Sequence, residues 1–243
     1  MSTAAVGAHP GELAPGRMAR IAGLFYLFNI LTIFLAIFCF RGIIVPRDAA
    51  ATAANLLAHE AQYRLGLSLE VISTACSIVV AVLFFALLKP VDKNLSLLAA
   101  VFRLMACALA LVGYLFQLAP LQILGPSQSL STIQPNELPA IGLLLQRLHV
   151  PASDMVIVFF GFHFFVLGYL IFRSGFLPRA LGVLSIVSSL GALIYLAPPL
   201  ARILSPYILG LGFILEVSLT AWLLLKGVDV ERWRTLAGAN APS

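Results

Sequence analysis

Three ionisable residues, Arg103, His163 and Glu216, sit deep inside long apolar runs, where charge is costly. A charged group in such a place relays protons, binds a substrate or pairs with another helix. Counting ~1.5 Å of rise per residue, Arg103 lies roughly 12 Å past Leu95, and His163 and Glu216 lie roughly 15 Å before Arg173 and Lys226. All three therefore share one layer. Arg103 shares its helix side with Ala99, Ala106, Ala110 and Gln117, and Glu216 shares its side with Gly212 and Thr220. Small residues let helices approach closely, so the matching depth and opposite charge predict an Arg103–Glu216 ion pair across the bundle. An unpaired glutamate at that depth is expected to take up a proton. His163, between Phe162 and Phe164, can relay protons or hydrogen-bond a neighbouring helix.

A second polar layer is expected nearer one membrane face, where Glu70 and Asp154 each lie roughly 28 Å before the basic residue that closes their run. Glu70 heads the stripe Ser73, Thr74 and Ser77, at i, i+3, i+4 and i+7. Such a stripe either lines a wet cavity or packs helices by hydrogen bonds. Tyr26, Asn29 and Thr32 make a smaller stripe, read as packing. No metal site is expected, because the deep layer offers one imidazole and one carboxylate where three or four ligands are needed. Asp154 cannot complete a set, since nine residues at 100° each turn it to the face opposite His163, about 13 Å away. Cys39, Cys76 and Cys107 are isolated within apolar stretches and read as small buried hydrophobes. A Gly-rich phosphate loop, a G-x-S-x-G elbow and an H-E-x-x-H helix are all missing. No catalytic motif and no cofactor are therefore indicated.

The elements that hold these residues follow from the composition. With 61% apolar and only 10% charged residues, and a mean hydropathy of +1.02, the chain cannot cover a water-facing surface. Its main partner is the lipid bilayer. The net charge of +5 does not point to nucleic acid, because Lys and Arg are spaced between the apolar runs and do not cluster. Six runs are long enough to span, at 21–40, 65–88, 95–119, 150–172, 180–196 and 206–225. None alternates, so the fold class is all-α, a bundle of about six transmembrane helices. The first run exceeds the core of a signal peptide and is followed by Arg41, so it reads as a retained helix.

Between the first two spans, Asp48 precedes an alanine-rich run and reads as the N-cap of one short extracytoplasmic surface helix. That helix either docks on the bundle or touches lipid. Residues 125–139 read as an irregular loop, and 139–148 as a segment at the interface, too short to span. Nine basic residues fall in one set of loops and five in the other, which places both termini in the cytoplasm. The chain thus divides into a flexible N-terminal tail at 1–19, a transmembrane domain at 20–228 and a cytoplasmic C-terminal tail at 229–243.

Four stretches carry a family likeness: 48–60 (DAAATAANLLAHE), Leu88-Lys89-Pro90-Val91, Phe160-Gly161-Phe162-His163 and Ser174-Gly175-Phe176-Leu177-Pro178-Arg179. Together they closely resemble a bacterial membrane family of unknown function, DUF4386, over nearly the whole chain from Arg20 to Val228. His149-Val150-Pro151 departs from the His-Asp-like pair expected at that point, with Asp154 coming later. The resemblance implies a polytopic inner-membrane protein and supplies no catalytic residue. Three functional classes remain. One is transport or binding of a small molecule or proton through the Arg103 layer, entered by a mouth at Glu70 and Asp154. The second is an intramembrane hydrolase using His163 with a carboxylate, and the third is a non-catalytic sensor or scaffold.

Overall fold

A computed structural model describes residues 14–45, 48–124, 134 and 136–239. A backbone crossing hydrocarbon has no water to satisfy its N–H and C=O groups, so each apolar run closes its own hydrogen bonds as a helix. In chain order these are α1 (Pro15–Phe40), α2 (Ala49–Ala58), α3 (Glu60–Leu88), α4 (Lys93–Leu124), α5 (Leu138–Ser174), α6 (Arg179–Leu193), α7 (Pro198–Leu225) and α8 (Val230–Ala239). A 3-10 turn, Ile194–Leu196, extends α6. Six helices are long and apolar enough to cross a membrane, namely α1, α3, α4, α5, α6 with its turn, and α7. The protein is a multi-pass, all-α membrane bundle.

Its apolar surface is inverted relative to a protein in water, with Ile203, Tyr207 and Leu225 all more than 70% exposed. Helix neighbours are α4 with α5, α1 with α3 and α7, α3 with α4, and α5 with α6. The α5–α6 crossing depends on missing side chains: a Cβ on Gly168 would stand 2.6 Å from the Gly182 carbonyl oxygen, and one on Gly182 would stand 2.7 Å from the Gly168 oxygen. Packing of this kind holds helices together where lipid removes the hydrophobic drive to associate.

Two expectations are corrected. Residues 139–148 are not a separate interfacial segment but the first turns of α5, whose 37 residues run ~55 Å without a break at Pro151. Helix α7 starts at Pro198, with Pro206 inside it. Within the segment expected as a C-terminal tail the structure adds a helix. Residues 230–239 form α8, held to the bundle by the Trp233 indole, which donates to the Leu87 carbonyl at 2.8 Å, and by the Asp229 amide, which donates to Phe176. The expected loop at 125–139 lies largely outside the described residues.

Helix α2 is capped as the sequence implies: the Asp48 side chain accepts from the Ala51 amide at 2.9 Å. It docks on α5 and α4 through buried Thr52, Ala53 and Leu56 and leaves Leu57 exposed. Helix α8 packs beside the start of α1, so both chain ends described lie at one end of the bundle and α2 at the other.

Candidate functional site

The deep layer forms around Arg103, which is fully buried at 0% exposure. Its helix α4 lies between α3 and α5. From α3, Ser77 offers its carbonyl and its hydroxyl, which accept from Arg103 Nε at 3.1 and 3.0 Å. From α1, the Tyr26 hydroxyl accepts from Nη1 at 2.9 Å, and from α5, His163 Nε2 lies 3.3 Å from the same nitrogen. The His163 tautomer follows from its neighbours. Nδ1 faces the Ala99 carbonyl at 2.8 Å, and a carbonyl only accepts, so Nδ1 carries the proton and Nε2 accepts from the guanidinium. Phe160 adds a ring face 5.4 Å from the guanidinium carbon. Arg103 Nη2 is buried with no hydrogen-bond partner among the described residues.

The expected Arg103–Glu216 ion pair does not form. Among the described residues the ion pairs are Arg64–Glu60 and Arg232–Asp229. The reason is topological, since α7 packs on α1 and α6 and not on α4. Glu216 stays within electrostatic range of Arg103 but turns its half-buried side chain to a cavity.

A second cluster surrounds Glu70. Its carboxylate accepts from Gln117 Nε2 at 3.0 Å, and the same amide nitrogen lies 3.2 Å from both ring nitrogens of His149. His149 Nδ1 stands 3.3 Å from the Gly113 carbonyl and its Nε2 stands 3.0 Å from Ser153 Oγ. With the proton on Nδ1, Gly113 accepts it and Nε2 accepts from Ser153. Nearby, the Tyr63 hydroxyl donates to the Gln117 carbonyl at 3.0 Å and approaches Gln146 Oε1 at 3.1 Å.

A cavity of about 490 Å³, bounded by α1, α3, α4, α5 and α7, runs from the Glu70 cluster to Ser77 and Phe160, which contact Arg103; Arg103 and His163 themselves do not line it. Glu70, Ser73, Thr74 and Ser77 all line it, as does Glu216, and the α3 stripe carries it ~10 Å along the helix from Glu70 to the residue that binds Arg103. Its walls are largely apolar and reach the lipid-facing surface at Val71, Leu111 and Leu209. Asp154 does not line it. The cavity face of α5 carries His149, Ser153, Val156, Ile157 and Phe160, a helical stripe from which Asp154 is turned by about 100° toward the side of Arg202.

Sequence reasoning thus brought together Arg103 and His163, and Glu70 with its stripe, but missed Tyr26, His149 and Ser153. Depth held a signal for Tyr26, which lies ~13 Å past Arg17, level with Arg103. For His149 the signal was its 14-residue spacing to His163, which returns a helix to nearly the same face. Asn29, by contrast, packs as read, its amide donating to the Ser73 carbonyl and hydroxyl at 2.8 Å each. No group of three or more His, Cys, Asp or Glu able to hold a metal occurs among the described residues.

These features define a class, a helical membrane protein with two buried polar clusters and a cavity that runs from one to the edge of the other. Residues 21–227 match the family described as Domain of unknown function (DUF4386), and the chain belongs to that family. It is also similar to a protein of Archaeoglobus fulgidus named "Uncharacterized protein", with 33% identity over 153 residues, covering 62% of this chain and 76% of the relative. That relative is archaeal. No solved structure matches the chain significantly.

Proposed function

We propose that this protein binds and transports a small molecule or a proton through its buried polar layer. The observation that carries the reading is the cavity running from the Glu70 cluster to Ser77 and Phe160 beside Arg103, with carboxylates at Glu70 and Glu216 on its wall. Intramembrane carboxylates on a cavity are the groups that take up and release protons or hold a charged ligand. The excess of basic residues at the end holding both described chain ends supports an orientation with both termini in the cytoplasm.

Proteoliposomes with an entrapped pH-sensitive dye test the proton arm. Wild type should dissipate an imposed pH gradient faster than empty vesicles, and Glu70→Gln and Glu216→Gln should each slow it. The small-molecule arm is read by thermal shift against a solute panel. Thr74→Cys, in a background with Cys39, Cys76 and Cys107 changed to Ala, should react with a membrane-impermeant thiol reagent. An unreactive Thr74→Cys with no flux and no thermal shift would discard the reading.

One contact favours the hydrolase as a second reading, with its residues changed. His163 has both nitrogens engaged by Ala99 and Arg103, whereas Ser153 Oγ lies 3.0 Å from His149 Nε2 and Gly113 orients the ring. That is the geometry of a nucleophile and its base. A fluorophosphonate probe should label wild type and not Ser153→Ala if this reading holds; an unlabelled wild type rejects it.

A further inference from the structure

At the end of the bundle that holds α8, three basic side chains converge on one cavity of about 320 Å³: Arg17 and Arg20 from the first turns of α1, and Lys226 at the end of α7. All three are exposed. None has a carboxylate within 4 Å among the described residues, where the ion pairs are Arg64–Glu60 and Arg232–Asp229. The acid nearest Lys226 along the chain, Asp229, is occupied by Arg232, both through the ion pair and by accepting the Arg232 amide at 3.1 Å.

The backbone adds to this field. Helix α1 starts in the cavity with no side-chain cap and no acidic residue in its first turn, so nothing in that turn offsets its positive end. Glycines at 16 and 227 line the same wall, leaving room for a group to approach the backbone.

What lies beneath the cavity identifies the kind of anion. Arg17 and Arg20 continue along α1 into an exposed apolar row, Leu24, Phe28 and Leu31, at helical spacing. On α7, Lys226 follows Leu225, the most exposed large hydrophobic residue of the bundle at 78%, with Trp222 one turn further in. The basic cavity therefore sits at the end of two exposed apolar helix faces, the order in which a phospholipid presents its headgroup and acyl chains. A free anion would use only the cavity, whereas a phospholipid uses both the cavity and the faces under it. We propose that Arg17, Arg20 and Lys226 bind the phosphate of an anionic phospholipid, whose acyl chains lie along α1 and α7.

The test reconstitutes the full chain in nanodiscs holding equal amounts of phosphatidylglycerol and phosphatidylcholine, then counts retained lipids by native mass spectrometry after release into detergent. Wild type should retain phosphatidylglycerol in preference to phosphatidylcholine. Single substitutions Arg17→Gln, Arg20→Gln and Lys226→Gln should each lower that preference about fivefold, equivalent to about 1 kcal/mol per basic residue at the membrane surface. The combined variant should abolish the preference. A control with Arg41, Arg147 and Arg202 changed to Gln removes equal charge away from this cavity and should behave as wild type. If the combined variant misfolds, the single substitutions decide the matter. Unchanged preference in the pocket variants, or an equal loss in the control, would overturn the site. Displacement of the lipid by excess inorganic phosphate would overturn the lipid assignment, leaving a site for free phosphate.

Discussion

Adding one methyl group at Gly168 should destabilise the bundle, whereas the same change at Gly212 should not. A Cβ at Gly168 would meet the Gly182 carbonyl oxygen at 2.6 Å, and Ile186 Cγ1 and Ser185 Cβ at 2.9 Å. The oxygen contact is short of ordinary van der Waals separation by about 0.8 Å, and because that oxygen belongs to the backbone of α6, relief requires the two helices to move apart. Overpacking costs about 1–3 kcal/mol, and a contact with backbone belongs at the upper end. The better helix propensity of alanine returns about 1 kcal/mol, so Gly168→Ala should lose about 2 kcal/mol. At Gly212 a Cβ meets nothing within 4 Å, so only the propensity term remains and Gly212→Ala should match or exceed wild type by up to about 1 kcal/mol. Unfolding in mixed micelles with rising sodium dodecyl sulfate, followed by circular dichroism, measures both variants. Wild-type stability in Gly168→Ala would refute the close crossing of α5 and α6.

Tyr26→Phe removes an acceptor of a charge-assisted hydrogen bond to Arg103 at 2.9 Å and should cost about 1–2 kcal/mol in the same titration; a loss indistinguishable from zero would count against the contact. Asp48→Ala should cost about 1 kcal/mol of local helix stability and Asp48→Asn little, read as faster amide exchange over α2 in the alanine variant alone. Reporter fusions after Lys89 and after Arg179 should give cytoplasmic signal and a fusion near Arg64 should not; the reverse pattern would invert the proposed orientation.

The membrane class, the six spans and the cap at Asp48 were legible in the sequence because each depends on local chemistry. An apolar run must satisfy its own backbone in lipid, and an aspartate before an alanine-rich run accepts from the nearest free amide. The depth of the polar residues was legible for the same reason, since rise per residue is constant, and it brought Arg103 level with His163. Which partner Arg103 takes was decided only by the tertiary structure. Depth and face say nothing about which helices are neighbours, and α7 packs against α1 and α6, leaving Arg103 to Tyr26, Ser77 and His163. The same limit hid the role of His149, whose ring is fixed by Gly113 and Gln117 from α4. It also made Asp154 look like part of the mouth, since its depth matched Glu70 while its helix face turned it away from the cavity. A one-dimensional chain specifies how deep a side chain sits and which way its own helix faces; the neighbour across the bundle is set by the close crossings that residues such as Gly168 and Gly182 permit.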